Sequence, residues 1–364
     1  MSLSELTLWL SGLAFLLAVV GWYLPGLRIL TAPPVYLQQE YPPVSVIVAA
    51  RNEARHLMGL LQSLLTQQYP DFEVILALNG CQDESVALAR RVADKDPRLR
   101  VLELSEAGKK KAIEQAITCA RYDVLLFTDA DCQPASPYWI REMAAACVEP
   151  FAGVLGYSPV RPGKGFLNVL ARFDHFLVAL QYLGAAAWGR PFMGVGRNLA
   201  YRRSVWQAVG GFSAHSDLAS GDDDLLVQAA ARRFRFQVQW HPESFVFTET
   251  PSSLGQFVRR KARHFTTGWR YHWLPLFFLQ AHFWGRLGVW LSPAALSLTG
   301  WPWYHAMFFL MFYLLMSLWL WKAISTKLCE KHLVRYGIGC DMLLTFVWLV
   351  AGVLSLFRNS TKWT

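Results

Sequence analysis

The sequence predicts an α/β domain with a mostly parallel sheet, joined to transmembrane helices, and three observations predict this class. Between Val44 and Phe127, short apolar runs typical of strands alternate with helical segments. Three long stretches elsewhere in the chain are almost free of charge. Hydrophobic residues make up 54% of the 364 residues, which is more than a chain lying wholly in water usually carries.

The predicted sheet begins with Val44–Ala50, whose apolar run is typical of a buried strand. Leucines recur at helical spacing directly after it, at Leu57, Leu60, Leu61, Leu64 and Leu65. Further strands are predicted at Phe72–Leu78, Arg100–Leu104 and Asp123–Phe127, and further helices near Glu84–Ala93 and Lys109–Ala120. Strands that alternate with helices form parallel sheets covered on both faces. Such sheets bind ligands beyond the carboxyl ends of their strands.

The three apolar stretches are Leu6–Leu27, Leu287–Trp321 and Gly337–Phe357. Each is long enough to cross a bilayer, since about 20 helical residues span ~30 Å. The middle stretch is long enough for two crossings, and Thr299–Trp303 supplies a turn, so we expect four crossings in all. None of the stretches has a polar face, which disfavours the alternative of buried core helices. A cleaved signal peptide is disfavoured because no basic leader or small-residue cleavage site precedes Pro25.

These patterns divide the chain into four predicted segments. They are an N-terminal transmembrane anchor at 1–30, a cytoplasmic domain at 31–270, an interfacial segment at 271–286, and about three transmembrane helices at 287–364. The net charge is +9, and basic residues flank the apolar stretches, as Arg28 and Arg260 do. The positive-inside rule puts those flanks in the cytoplasm, at a plasma or inner membrane. Four crossings then put both termini on the outer side, although Arg358 and Lys362 oppose this for the C-terminus.

The basic charge indicates membrane lipid and a phosphate-bearing substrate as partners, because no nucleic-acid recognition motif accompanies it. The six cysteines show no paired metal-ligand spacing. We expect them to be reduced thiols without a metal.

Polar residues follow three of the predicted strands: Arg51, Asn52 and Glu53 after the first, Asn79 to Asp83 after the second, and Asp129 to Asp131 after the fourth. These loops meet at one edge of the sheet, where we expect a nucleotide. The two carboxylates of Asp129-Ala130-Asp131 can face a hard divalent cation such as Mg²⁺ or Mn²⁺. Such an ion would neutralise a diphosphate leaving group.

A second acidic motif, Gly221-Asp222-Asp223-Asp224, opens a predicted helix. Adjacent carboxylates repel one another, which raises the proton affinity of one of them. A carboxylate tuned in this way suits a general base that accepts a proton from a hydroxyl group. The alternative is simple N-terminal capping of the helix by Asp222 alone.

The stretch from Pro42 to Gly268, which carries these motifs, resembles the membrane-bound family-2 glycosyltransferases. Members have the A-type glycosyltransferase (nucleotide-diphospho-sugar transferase) fold and include polysaccharide synthases and lipid glycosyltransferases. The landmarks are the Val-Ser-Val-Ile-Val-Ala-Ala-Arg-Asn-Glu opening, the Asn-Gly-Cys-Gln-Asp turn, Asp-Ala-Asp, Gly-Val-Gly-Arg-Asn at 194–198, Gly-Asp-Asp-Asp, and the basic helix ending Arg-Lys-Ala-Arg-His at 260–264.

The resemblance implies a role for each matching position. Donor-binding roles fall to Arg51, Glu53, Asn79, Asp83, Lys109 and Asp129, the metal to Asp131, and acceptor binding to Gly194, Gly196, Arg197 and Asn198. Asp223 is the implied catalytic base, with Asp222 in place of the usual glutamate. Arg260 and Arg263 match basic positions that stabilise the leaving group, and His264 follows them. The lysines at 109–111 are alternatively a solvated start of a helix.

Two departures from the family pattern affect specificity. Asn79 stands where an aspartate usually reads the nucleobase, so the expectation of uridine is weakened. His264 stands where polymerising relatives have a tryptophan, although Gln256-x-x-Arg259 is a rival register for that motif. Imidazole offers less apolar area than an indole for holding a sugar chain. We therefore expect transfer of one or a few sugars.

Together these observations predict an inverting, metal-dependent transfer of a hexose or N-acetylhexosamine from a nucleotide sugar, a UDP-sugar on this reasoning, to a membrane-associated lipid or glycan acceptor. The alternatives are a processive polysaccharide synthase and, from another class, a non-catalytic scaffold subunit of a polysaccharide export complex. A scaffold would be free to lose Asp129, Asp131 and Asp223, and this chain keeps all three.

Overall fold

The computed structural model describes residues 2–33, 35, 41–105, 108–218 and 221–357. Residues 34 and 36–40, before the first predicted strand, as well as Arg358 and Lys362, therefore lie outside the described residues. The chain divides into two compact units. We call them the sheet unit, within 33–162 and 185–250, and the helical unit, within 1–32, 163–184 and 251–358.

The sheet unit contains a seven-stranded sheet in the order β3-β2-β1-β4-β7-β6-β8. The strands of this sheet are β1 (Val44–Ala50), β2 (Phe72–Asn79), β3 (Leu99–Leu104), β4 (Val124–Asp129), β6 (Gly153–Gly156), β7 (Leu199–Arg202) and β8 (Phe236–Gln239). The pairings of β1 with β2 and β4, and of β2 with β3, are parallel, while β7 is antiparallel to both its neighbours. The prediction of a mostly parallel α/β sheet is confirmed.

Helices connect and cover these strands. They are α2 (Ala54–Leu65), α3 (Ser85–Ala93), α4 (Gly108–Cys119), α5 (Trp139–Ala146), α7 (Arg203–Ala208) and α8 (Asp224–Ala230). A small second sheet pairs β5 (Cys132–Pro134) with β9 (Val246–Thr248) in antiparallel fashion. Strands β1 and β2 are buried along their whole length. Helices cover the sheet, and the burial of apolar side chains on both of its faces away from water is favourable.

The register of the central strands brings their carboxyl ends level. Ala50 of β1 is paired with Leu78 of β2, and Ala49 is paired with Asp129 of β4. The loops after β1, β2 and β4 therefore start at the same edge of the sheet, which is where the polar motifs of the sequence fall.

The helical unit consists of long helices. They are α1 (Leu3–Thr31), α6 (Phe166–Ala187), whose last turn belongs to the other unit, α9 (Leu254–Gly268), α10 (Trp273–Leu298), α11 (Trp303–Lys327) and α12 (Gly337–Leu356). Within the described residues, three helical stretches are long and apolar enough to cross a membrane: Leu3–Thr31, Trp303–Lys327 and Lys331–Leu356. These stretches support the membrane association that the composition predicts, and the expected number of four crossings stays a prediction.

Helix α10 differs from its predicted layout. The expected boundary between an interfacial segment and the first C-terminal crossing, at 286/287, falls inside this one continuous helix. The expected turn is present, since α10 ends at Leu298 and α11 begins at Trp303. Helix α10 carries His282 and Arg286, both about 1% exposed. These polar residues lower the mean hydropathy of α10, so this helix is not among the three candidate spans found in the described part of the chain. The segment limits themselves stay a prediction.

Helices α1 and α10 pack closely along their length. A methyl group in place of the Gly285 hydrogen would overlap the backbone nitrogen of Ala18 and lie 2.8 Å from the carbonyl oxygen of Ala14. About one turn away, the ring of Trp22 is stacked on that of His282 with centroids 4.8 Å apart. Small residues permit this approach, since transmembrane helices associate through tight van der Waals contact.

Buried ion pairs join the remaining helices of this unit. Arg286 contacts Asp341 at 2.8 Å, and each side chain is 1% exposed. The hydroxyl of Tyr313 and the indole N–H of Trp290 donate to the same carboxylate at 3.1 and 3.0 Å. A buried charge is tolerated when it is paired and hydrogen-bonded in this way.

Helix α6 carries two charged residues, Arg172 and Asp174, in a largely apolar sequence. Asp174 accepts from Lys261 and from the indole of Trp348, both at 2.6 Å, and Arg172 pairs with Glu330. These contacts favour packing. They also show that Lys261, next to Arg260 in the basic run at 260–264, is a buried partner of Asp174.

Candidate active site

The loops after β1 and β2 are held together by hydrogen bonds. Asn52 has a positive φ of 55°, and its side-chain oxygen accepts from the amide of Gln82 at 2.8 Å. The two oxygens of Asp83 accept separately from the amides of Ala54 and Ser85, each at 3.0 Å. Asp83 therefore ties the start of α2 to the start of α3. Its predicted contact with a nucleobase stays a prediction.

The carboxyl group of Asp83 is ionised. Desolvation by itself would raise the pKa, but the hydrogen bonds from Ser85 and Ala54 outweigh it and hold the pKa below its ordinary value. Nearby, Glu53 is bonded to Nδ1 of His56 at 2.8 Å, Arg51 is exposed, and Asn79 is buried at the end of β2. The four donor-binding residues predicted on these loops thus lie at one edge of the sheet, in different degrees of contact with solvent.

The Asp-Ala-Asp motif follows β4 as predicted. Ligand atoms of Asp129, Asp131 and Cys132 all lie within 4.8 Å of one another. Burial raises the pKa of the Cys132 thiol well above its ordinary value, and the charges of Asp131 and Asp129 raise it further. A protonated thiol is a poor metal ligand, so the two carboxylates are the effective donors. Carboxylate oxygens suit Mg²⁺ or Mn²⁺, and the residues present fit such an ion.

Lys109, at the start of α4, bridges the two acidic motifs. Its ammonium group lies 3.2 Å from Oδ1 of Asp129 and 3.1 Å from Oδ2 of Asp222. Desolvation alone would lower the pKa of Lys109, but Asp129, Asp222 and Asp223 together outweigh it, so the pKa is raised. Lys109 is therefore a permanent cation at the centre of the site. The alternative of a solvated helix start is contradicted for this residue, which is only 18% exposed.

Asp223 lies at the start of α8 and is partly exposed. Oδ2 accepts from the amide of Gly196 at 2.7 Å, and Oδ1 accepts from the amide of Asp224 at 2.8 Å. Desolvation and the charge of Asp222 raise the pKa of Asp223, against opposing effects of Lys109 and of the two amides. The repulsion inferred from the sequence is thus present. The alternative that Asp222 caps the helix is wrong, because Asp223 caps α8 and Asp222 is paired with Lys109.

The segment Gly194–Asn198 has a structural role that its sequence did not suggest. A methyl group at Gly196 would lie 3.1 Å from Oδ2 of Asp223, so only glycine lets this amide approach the carboxylate freely. Asn198 is fully buried, and its side chain bonds to Trp139, Tyr157 and Ser244. No surface of Asn198 is left for an acceptor to contact in this structure.

Arg197 donates to the hydroxyl of Ser158 at 2.7 Å, and Gly194 is buried close to Val227. The acceptor-binding roles of this segment therefore stay predictions, of which the one for Asn198 is disfavoured by its burial.

One connection was missed at the sequence level. Lys110, next to Lys109, is buried, and its ammonium group donates to the carbonyl oxygen of His215 at 2.5 Å. Burial, together with the nearby Lys110 charge, lowers the pKa of His215 to about 4, so its ring is neutral near pH 7. Helix α4 is thereby tied to the loop that leads to Asp222 and Asp223. A run of three lysines gives no signal that one of them is buried.

A pocket opens beside these groups, with Lys109, Asp129, Asp222 and Asp223 among its lining residues. Its other walls are mainly apolar and include Ile47, Phe127, Leu199 and Phe212. Lys109, Asp129, Asp222, Asp223 and Gly196 thus share one cavity at the carboxyl edge of the sheet, and Asp131 is two residues from it along the chain.

The other predicted catalytic residues, Arg260, Arg263 and His264, lie on α9 of the helical unit. Arg260 and Arg263 are partly exposed and His264 is exposed. Their predicted roles in the reaction stay predictions.

A second group of metal-ligand types, Glu142, His241 and Glu243, occurs on the sheet unit. The guanidinium of Arg141 lies 3.2 Å from Glu142 and 3.5 Å from Glu243. It already pairs with both carboxylates and repels a further cation, which disfavours a metal there.

Comparison with known proteins agrees with this architecture. Residues 45–210 match the sequence model of Glycosyl transferase family 2, and residues 157–323 match that of Glycosyl transferase family group 2. The chain therefore carries a glycosyltransferase family 2 domain, with the A-type glycosyltransferase fold.

Two curated relatives and one solved structure illustrate the similarity. The O-antigen biosynthesis protein RfbC of Myxococcus xanthus is 28% identical over 211 residues, 53% of this chain and 16% of that protein. Glycosyltransferase AglE of Haloferax volcanii is 33% identical over 188 residues, 50% of this chain and 59% of that protein. This chain thus spans less than two thirds of the length of either relative.

Mannosyltransferase PcManGT from Pyrobaculum calidifontis, solved in complex with GDP-Man and Mn²⁺, has a TM-score of 0.61 at 19% identity. The similarity covers 96% of this chain and 98% of that one. At this level of identity, what the two proteins share is the fold.

Proposed function

We propose that this protein is an inverting, metal-dependent glycosyltransferase that moves a hexose or N-acetylhexosamine from a nucleotide-sugar donor to a membrane-associated lipid or glycan acceptor. The observation that carries the proposal is a single pocket whose rim holds Asp223, the bridging cation Lys109 and the first carboxylate of the Asp-Ala-Asp motif. A proton acceptor and charges suited to a diphosphate are thereby brought within one cavity.

The acceptor side of the reaction falls to Asp223. In the step we propose, the acceptor hydroxyl gives its proton to Asp223, its oxygen forms a bond to the anomeric carbon, and the bond from that carbon to the diphosphate oxygen breaks. The electron pair leaves with the nucleoside diphosphate. The raised pKa of Asp223 supports this role, because a base works best when its pKa is close to the working pH.

The donor side falls to the neighbouring loops. Arg51, Glu53, Asn79 and Asp83 would receive the nucleoside, and Asp129 would contact the nucleotide near its diphosphate. Lys109 would shift from its two carboxylates to the phosphate oxygens, since an ammonium group binds phosphate as a point charge. We propose a UDP-sugar, and Asn79 supplies both a donor and an acceptor for reading the base.

A divalent ion, Mg²⁺ or Mn²⁺, would be held by Asp131 with help from Asp129. When bound, it supplies positive charge that stabilises the diphosphate as a leaving group. The fold relative from Pyrobaculum calidifontis contains Mn²⁺, which is in keeping with this choice. Arg260 and Arg263 are proposed to add further positive charge for the same leaving group.

The acceptor is proposed to be embedded in the membrane, with the sheet unit on the cytoplasmic side of a plasma or inner membrane. Three membrane-length helices in the described chain and the basic flanks of the apolar stretches support this. Position 264 is a histidine, where polymerising relatives have a tryptophan that can hold a growing sugar chain. This difference favours products of one or a few sugars.

The test is direct. Membranes containing the protein are incubated with labelled nucleotide sugars and Mn²⁺, and label is followed into organic-solvent and polymer fractions. Label in the organic fraction, absent from membranes lacking the protein, is the expected result. Label confined to long polymer, released by a glycan hydrolase, would favour the polysaccharide-synthase alternative. No transfer from any donor would overturn the proposal.

A further inference from the structure

Lys110 is a buried residue in the run of three lysines near the start of α4. It is 9% exposed, whereas the next residue, Lys111, is exposed. The ammonium group of Lys110 donates to the carbonyl oxygen of His215 at 2.5 Å. Burying a lysine is costly, because its long stem loses conformational freedom and its charge loses hydration. A lysine in this position therefore calls for a reason beyond the solubility of a helix.

His215, whose carbonyl group Lys110 contacts, is joined to two other parts of the same loop. Its ring lies edge-on to the ring of Phe212, with centroids 5.9 Å apart, and Phe212 is a wall of the pocket. The ring of His215 is also hydrogen-bonded to the backbone of Gly221. Gly221 has a φ of 87° and directly precedes the acidic motif at 222–224. His215 thus connects Lys110 to the backbone from which the acidic motif starts.

The two neighbouring lysines hold this motif in different ways. Lys109 contacts the carboxylate of Asp222 at 3.1 Å, and under the proposed function it leaves that carboxylate for the phosphate oxygens. Lys110 instead contacts a backbone carbonyl group, so its contact does not depend on where Lys109 points. Burial lowers the pKa of Lys110 below its ordinary value, and the charge of Asp222 opposes this effect. Asp222 is therefore close enough to act on both lysines.

We propose that Lys110 is a positioning residue for sugar transfer, which acts through His215 and Gly221 to hold the proposed base Asp223 in place. This inference rests on the proposed function and adds to it a residue that is not one of the described residues lining the pocket. A displacement of about 1 Å in a reacting group can cost about 10²-fold in rate. Loosening this loop should therefore slow the chemical step more than it weakens donor binding.

The test compares two adjacent lysines in the whole chain. Lys110→Met keeps the apolar stem and removes the ammonium group, and Lys111→Met removes the same charge from an exposed neighbour. Transfer is measured in membranes containing each variant with Mn²⁺ and labelled UDP-glucose, UDP-N-acetylglucosamine or GDP-mannose. Donor affinity is measured by calorimetry on the purified chain in lipid nanodiscs. Rates are expressed per folded molecule, so that a change in stability alone does not alter them.

We expect Lys110→Met to lower kcat by about 10- to 100-fold while donor affinity stays within about 3-fold of that of the parent. Lys111→Met should leave both quantities unchanged. Lys110→Arg keeps a cationic donor for the carbonyl group and should recover part of the rate that Lys110→Met loses.

A second variant tests the same path from its other end. His215→Leu removes the hydrogen bond between the ring and Gly221 but keeps the carbonyl group that Lys110 contacts. It should also lower kcat, and it tests the path even if Lys110→Met does not fold. Residues that act through one path have effects that do not add in free energy. The double variant should therefore be about as slow as the slower single variant, whereas independent effects would multiply.

Each contrary result has its own meaning. Equal rates for Lys110→Met and Lys111→Met would overturn this inference and leave the proposed function standing. A loss of donor affinity that accounts for the whole loss of transfer would overturn it as well, because Lys110 would then serve donor binding. Effects of Lys110→Met and His215→Leu that multiply would overturn the path through His215. A parent protein that transfers sugar from none of the three donors would overturn the inference together with the proposed function.

Discussion

Replacing Asp223 by asparagine should remove transfer without unfolding the protein. The substitution keeps the size of the side chain but removes its capacity to take a proton. A positioned base contributes about 10²- to 10⁴-fold, and each tenfold corresponds to about 1.4 kcal/mol of activation free energy. The chemical step should therefore lose about 3–5 kcal/mol of stabilisation.

The structure also indicates how much folding stability Asp223→Asn should cost. Asp223 accepts from Gly196 and from Asp224 on separate oxygens, whereas asparagine has only one oxygen. One hydrogen bond to a charged group is lost, worth about 1.5–3 kcal/mol. The relief of repulsion with Asp222 offsets part of this. At roughly 2–4 °C per kcal/mol for a domain of this size, the midpoint of unfolding should fall by less than ~10 °C.

The assay is nucleoside diphosphate release at 25 °C, with donor affinity measured by calorimetry and the unfolding midpoint by differential scanning fluorimetry. Asp217→Asn, an exposed carboxylate on the preceding loop, is the matched control for loss of one charge. We expect at least a 100-fold loss of rate for Asp223→Asn with donor binding kept, and little change for the control. Normal turnover in Asp223→Asn would refute the assignment of the base.

Three further changes have defined outcomes. Asp131→Asn should abolish transfer and also weaken Mn²⁺ binding followed by electron paramagnetic resonance, because an amide is a poorer ligand than a carboxylate; undiminished Mn²⁺ binding would contradict this. Transfer should fall as the pH drops through the raised pKa of Asp223, since only the ionised form accepts a proton. Asp222→Asn should move this acidic limb of the pH–rate profile to lower pH, because the Asp222 charge helps to raise the pKa of Asp223. An acidic limb that does not move would contradict this effect of Asp222 on Asp223. Asp341→Asn should destabilise the helical unit by about 3–5 kcal/mol, because it leaves Arg286 buried and unpaired. The change is measured as a lower unfolding temperature in detergent. An unchanged unfolding temperature would show that the ion pair is dispensable.

The sheet could be predicted from sequence because its signals are local. Each strand is an apolar run and each helix has its own periodicity, so the order of elements between Val44 and Asp129 followed directly. The gathering of the loops that carry Arg51, Asn79 and Asp129 could also be inferred, because parallel strands put their carboxyl ends at one edge. The place of Asp223 beside them was implied only by the family resemblance.

What could not be predicted depends on contacts between distant residues. Lys110 and Lys261 are typical surface residues by type, yet each is buried by a partner about 90 to 105 positions away in sequence, His215 and Asp174. Asn198 belongs to a recognisable motif, but its burial follows from three partners in other elements. Spacing within a motif carries no information about such partners.

The close contact between α1 and α10 limits how this enzyme can be prepared. Because Gly285 allows no side chain against α1, the first helix fills a groove that a generic membrane anchor would not fit. Removing residues 2–33 to obtain a water-soluble enzyme should expose that groove, together with the Trp22 face of His282, and lead to aggregation. Purification strategies should keep the first helix and solubilise the chain with it in place.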